Sequence, residues 1–152
     1  HDYALTTRAP DTGQPEHTVV IPRGTRFPTA PDLWRRKLVP TCPFGEPETV
    51  YKLLISEVGR ASGHSADPDD DRRFRWDADG ALQGPSAEAT VVPLNDADPT
   101  LGRLSPPHEP GDRRPRLDVS FGVNADRWLM ATVVDLRSGR TLMKERPVVR
   151  LL

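Results

Sequence analysis

The chain has 152 residues, 36% of them hydrophobic, with 17 prolines, 11 glycines and a formal net charge of -1. So many prolines and glycines exclude long helices and favour short segments joined by turns, while near-neutrality removes any overall pull toward nucleic acid or an anionic membrane. No apolar run reaches membrane-spanning length, and the single cysteine, Cys42, excludes an internal disulfide and suits a reducing compartment.

Residues 1–7 set Tyr3, Leu5 and Thr7 on one side and predict a short strand; residues 8–15 are turn-rich, and 16–21 return. Residues 22–29, with Pro22, Gly24 and Pro28, form an irregular connector. A strand with mixed faces is expected over 33–41, ending near an edge at Pro40, then a loop over 42–47. Residues 49–56 place Tyr51, Leu53 and Ile55 on one face of the next strand. The polar stretch 59–73 is expected to be a mobile insertion, 74–82 a hairpin with its tip at Asp77–Gly80, and 83–88 a loop. A strand follows at 89–94, then a proline-rich connector over 95–116.

The clearest pattern comes last. Leu117, Val119, Phe121 and Val123 alternate with Asp118, Ser120 and Gly122; residues 124–127 suit a tight turn; 128–136 return; 137–140 turn again into 141–152. A three-strand meander with one apolar face needs a second layer over it. The expectation is an all-β chain, a single antiparallel β-sandwich over 1–152 with about seven to nine strands.

Chemistry-bearing patterns are sparse. Asp67, Asp69, Asp70 and Asp71 lack calcium-loop spacing, and Asp77-Ala78-Asp79-Gly80 lacks the later ligands. His1, His17, His64 and His108 form no metal-binding pair, and His64-Ser65 with Asp67 cannot hold a triad's geometry in a flexible loop. Cys42 has no basic neighbour to activate it, and Arg35-Arg36-Lys37 and Arg113-Arg114-Arg116 read as ordinary surface.

Four segments, taken in order, resemble the substrate-binding β-sandwich of the 70-kDa heat-shock chaperones of the DnaK type. They are Val20-Ile21-Pro22-Arg23-Gly24-Thr25-Arg26-Phe27-Pro28-Thr29, Asp98-Pro99-Thr100-Leu101-Gly102-Arg103-Leu104, and Pro115-Arg116-Leu117-Asp118-Val119-Ser120-Phe121. The fourth joins Val123-Asn124-Ala125-Asp126-Arg127-Trp128-Leu129 to Asp135-Leu136-Arg137-Ser138-Gly139-Arg140. Arg127 stands where that family carries a turn glycine, so a positive φ is expected there. The resemblance implies a peptide-binding subdomain without a helical lid, excised from a longer chain whose N-terminal domain is an ATPase. Its implied function is to bind extended hydrophobic segments of unfolded proteins, with no enzymatic activity or cofactor in this segment and ATP with Mg in the parent's nucleotide-binding domain.

By register with the family, the resemblance places Leu5, Thr7, Tyr51, Leu53 and Leu117 around the peptide, with Leu38 and Thr41 nearby. Arg8 falls where an apolar residue arches over it. For Leu53 and Leu117, plain core packing is the competing reading. With Leu129, Ala131 and Val133 pointing inward, Trp128, Met130 and Val134 are expected on the outer meander face, either covered by the connectors or, as the sharper alternative, forming a docking stripe for the ATPase domain. The implied partners are extended polypeptides, that domain and co-chaperones, in the cytoplasm, with no nucleic acid or membrane. The alternative is a protein-interaction or scaffolding sandwich that has lost the groove.

Overall fold

Every second side chain of the segment Leu117–Val123 is apolar, and Leu117, Val119, Phe121 and Val123 are all buried on one face of a strand. Around this strand a computed structural model, describing residues 1–9, 12–60 and 89–152 (backbone only for Arg60 and Ala89), assembles two antiparallel sheets. The strands are β1 (Asp2–Arg8), β2 (Pro15–Ile21), β3 (Trp34–Leu38), β4 (Glu48–Arg60), β5 (Ala89–Pro93), β6 (Thr100–His108), β7 (Leu117–Val123), β8 (Trp128–Asp135) and β9 (Thr141–Arg150). No helix occurs among the described residues. One sheet runs β2-β1-β4-β5 with β6 also on β4; the other runs β3-β7-β8-β9. Leu5, Ile55 and Leu104 from the first pack in one cluster with Val119, Phe121, Leu129 and Val133 from the second. The expected all-β sandwich is the observed fold.

The meander follows the alternation. Leu129, Ala131 and Val133 are sealed inside, while Trp128, Met130 and Val134 lie outward and more exposed, as expected. In the β7–β8 turn, the Arg127 N–H donates to the Asn124 carbonyl, and the Asn124 Oδ1 accepts from the Asp126 and Trp128 N–H groups. Arg127 sits at φ +67°, the left-handed conformation expected at that position.

The connector before β3 is fastened to the second sheet. The Thr29 N–H donates to the Val123 carbonyl and the Val123 N–H donates to the Thr29 hydroxyl. Residues 30–31 then lie so close over β7 that a Cβ on Gly122 would collide with the backbone of Ala30 and Pro31.

Three expectations need correction. The insertion does not begin at Gly59: Gly59 and Arg60 pair with Thr90 and Ala89 in the β4–β5 ladder. Backbone pairing is indifferent to the polarity that suggested a loop there. The remainder of that insertion and the 74–82 hairpin lie outside the described residues. The 95–116 connector contains a strand, β6, in which Thr100, Leu104 and His108 are buried. Its proline content misled because Pro106 and Pro107 fall where β6 has left its regular register with β4, so the missing N–H groups cost no ladder bonds. Finally, Arg116 is not surface; it is buried.

β5 and β6 behave as one interrupted strand along β4. Between them the ladder is completed by a side chain: the Ile55 N–H donates to Asn95 Oδ1 at 2.9 Å, and Asn95 Nδ2 donates to the Leu53 carbonyl at 2.9 Å. A primary amide offers the donor and acceptor of a peptide group, so buried Asn95 replaces the missing backbone rung.

Candidate functional site at the loop-rich end

One end of the sandwich gathers the end of β1, the beginning of β4, the β3–β4 loop and the β8–β9 turn. On the second sheet Leu38, Leu117 and Asp135 are neighbours across three strands. The two sheets are tied there by Arg116, whose Nη2 donates to the Pro106 carbonyl of β6 at 2.7 Å. The β3–β4 loop joins through Cys42, whose Sγ donates to the His108 carbonyl at 3.4 Å. Burial pushes that thiol's pKa up, which keeps it a protonated, inert group.

The centre of this end is polar and buried. Arg116 and Asp135 are 3% and 1% exposed, and form a two-pronged pair with Nε–Oδ1 at 2.9 Å and Nη2–Oδ2 at 3.1 Å. Burial alone would raise the Asp135 pKa; the Arg116 contacts and the Arg137 N–H outweigh it and hold the carboxyl below its ordinary value. Among the described residues, Arg116 Nη1 has no hydrogen-bond partner, and neither has the Tyr51 hydroxyl. Burial, with the Asp135 charge adding and the Arg146 charge opposing, pushes the Tyr51 pKa up to about 12. The Tyr51 ring lies directly over its cross-strand partner Gly102, where a Cβ would overlap it.

The residues expected around a peptide divide into two groups. Leu5, Tyr51, Leu53 and Leu117 are 1%, 6%, 2% and 3% exposed, so they pack in the core and offer no surface to a ligand. Thr7, Leu38 and Thr41 are half-buried. Arg8 is exposed, with Nη1 donating to the Gly13 carbonyl at 2.8 Å, and so braces the β1–β2 loop. The structure therefore packs Leu5, Tyr51, Leu53 and Leu117 into the one core cluster shared by both sheets and leaves Thr7, Leu38, Thr41 and Arg8 at least partly open to solvent.

What stays open at this end is backbone. β1 pairs with β4 from Asp2–Val58 to Thr6–Leu54, then carries on with β2 alone through Thr7–Glu16 and Arg8–Pro15. Leu53 and Ile55 direct their backbone groups to the Asn95 side, so Lys52 directs its own to the opposite edge. Among the described residues no strand pairs with that edge at Val50 or Lys52, and the Val50 N–H is satisfied instead by the Glu48 carboxylate at 3.0 Å.

No family model matches the chain. Nor does any curated protein or solved structure match it. The DnaK-type resemblance therefore stands on its four segments alone.

Two surface clefts flank the site. One of about 210 Å³ lies on the outer face of the second sheet, between Asp32, Arg35, Asp118, Ser120, Thr132 and Val134. Its floor is the Arg35–Asp118 pair, whose hydrogen bonds hold the Asp118 pKa down. The other, about 330 Å³, lies between β6 and the β8–β9 turn. Among the described residues no three His, Cys, Asp or Glu side chains are grouped to hold a metal, and no helix is long and apolar enough to cross a membrane.

Sequence patterning missed Asn95, Arg116 and Asp135 as interacting groups. Each looks like a polar residue in a loop or at a strand end, and only their pairing partners reveal them. Tyr51 provides a direct check. Removing its unpartnered hydroxyl in Tyr51→Phe relieves a buried donor, so stability should rise by about 1 kcal/mol. Thermal unfolding followed by circular dichroism measures this; a loss of similar size would reveal a hydrogen bond to the hydroxyl.

Proposed function

We propose that the sandwich binds extended polypeptide segments, as the substrate-binding module of a DnaK-like chaperone would, and takes them up as an added strand. The observation that carries this reading is the early parting of β1 from β4, which leaves the Lys52 edge without a strand partner among the described residues. An extended peptide can pair its own N–H and C=O groups along such an edge. Half-buried Thr7 lies at the end of the strand that parts from it. The ATP dependence implied by the family resemblance belongs, on this proposal, to a separate domain docking on the stripe of Trp128, Met130 and Val134.

A second reading is favoured by the burial of Leu5, Tyr51, Leu53 and Leu117. With these side chains packed in the core, affinity would come from backbone pairing rather than a buried side chain, which fits a protein-interaction sandwich. Fluorescence anisotropy with a labelled Leu-rich peptide and a Ser/Gly-rich peptide of equal length separates the two. The chaperone reading expects a preference for the Leu-rich peptide of at least about tenfold, the worth of one partly buried leucine; the scaffold reading expects none. Lys52→Pro removes the edge N–H without touching the bonds to β6, and should weaken either mode about tenfold. Unchanged binding in that variant overturns the edge site.

A further inference from the structure

The cleft between β6 and the β8–β9 turn has a composition unlike the rest of this end. It is lined by Arg103, Ser105, Ser138, Arg140, Thr141 and Leu142: two guanidinium groups, three hydroxyls and one apolar side chain, with no carboxylate. The two arginines come from different sheets, Arg103 from β6 and Arg140 from the turn that leads into β9. Neither guanidinium has a hydrogen bond or ion pair among the described residues, although Arg35, Arg114 and Arg116 each hold an aspartate. Nearby acid is already neutralised, since Asp135 is buried against Arg116. Two arginines lining one cleft, with guanidinium groups unpaired among the described residues and beside three hydroxyl-bearing side chains, form a donor-rich site for a compact oxyanion.

We propose that this cleft binds the phosphoryl group of a phosphorylated side chain on a polypeptide partner. A phosphoryl dianion offers three terminal oxygens, enough to accept from both guanidinium groups and from the hydroxyls together; a carboxylate offers two. The volume of about 330 Å³ leaves room for the residue that carries the phosphoryl, and Leu142 supplies the apolar wall its stem needs. Arg103 pairs with Val50, so the cleft lies across β4 from the open Lys52 edge. A segment bound at that edge could reach it by passing over the end of the sheet. The choice of a polypeptide carrier rests on the function proposed above; the anion site itself does not.

The test is anisotropy with a labelled phosphoserine peptide and its unphosphorylated twin, on the wild-type chain and on Arg103→Gln and Arg140→Gln. Both arginines are exposed, and circular dichroism should show both variants folded. Phosphorylation is expected to tighten binding about tenfold, and either substitution should erase most of that gain, as the loss of a charge-assisted contact does. Inorganic phosphate at millimolar concentration should compete away the phosphorylation-dependent part alone. Equal binding of the two peptides overturns the anion site while leaving the Lys52 edge untouched. A site that takes free phosphate but gains nothing from the peptide around it overturns the polypeptide carrier. Unchanged peptide binding in Lys52→Pro, with phosphate still competing away the phosphorylation-dependent part, overturns the edge and leaves the cleft standing.

Discussion

Asp135→Ala is expected to lower the stability of the chain by about 3–5 kcal/mol, the largest effect of any single substitution considered, because it strands Arg116 in the core without a counter-charge. The guanidinium is 3% exposed, one of its nitrogens already lacks a partner among the described residues, and the Pro106 carbonyl alone cannot balance a full positive charge. For a chain of this length the midpoint of thermal unfolding should fall on the order of 10 °C. The double replacement Arg116→Met with Asp135→Leu removes both charges and should recover more than half the loss, since an apolar pair of similar volume costs no desolvation. If the single and double variants are equally destabilised, the damage lies in packing and not in the orphaned charge.

The same pair sets an acid limit. The folded Asp135 carboxyl is held below its ordinary pKa, so the unfolded chain takes up the proton first as pH falls. Its contribution is complete above the unfolded value near about pH 4 and declines as pH drops through the folded value. Urea unfolding of the wild-type chain between pH 7 and pH 3 should show this decline, and Asp135→Ala should flatten it.

Asn95→Leu is expected to cost about 2–4 kcal/mol, because it leaves the Ile55 N–H and the Leu53 carbonyl buried without partners. The Asn95→Asp variant offers a sharper check. Its carboxylate could still accept from Ile55 but could not donate to Leu53, whereas the protonated acid could do both. Burial and the need to donate would raise the folded pKa above the unfolded one. Relative to the wild type at each pH, that variant should then be least impaired below about pH 4 and lose ground as pH rises through the folded value of the new carboxyl. A pH profile parallel to that of the wild type would show that the side chain does not complete the ladder.

How much of this could be read beforehand depended on the kind of interaction. Strands whose apolar residues alternate, such as those holding Tyr3 and Leu5, Tyr51 and Leu53, or Leu117 to Val123, announce themselves because the side-chain period of two is local. The turn at Asn124–Arg127 was legible from its turn-favouring residue types, which are also local, whereas the positive φ of Arg127 was suggested only by the resemblance that sets it where a glycine usually stands. β6 was hidden because Pro106 and Pro107 break the pattern inside it, and an edge strand tolerates what a central one does not. For the candidate site, register carried the choice of Leu5, Leu53 and Leu117 but not their exposure. Whether an inward apolar side chain lines a slot or fills it depends on how closely the other sheet approaches.

By itself, the order of residues determined that this is an all-β chain, where the strands with alternating apolar residues would form, and which face of those strands would be buried; those properties follow from neighbours one and two positions away. Tertiary structure decided that Arg116 meets Asp135, that Asn95 mends a broken ladder, that the expected groove residues close on one another, and that Arg103 and Arg140 face one cleft. Each of these joins positions far apart in the chain, and their meeting was fixed when two sheets packed face to face.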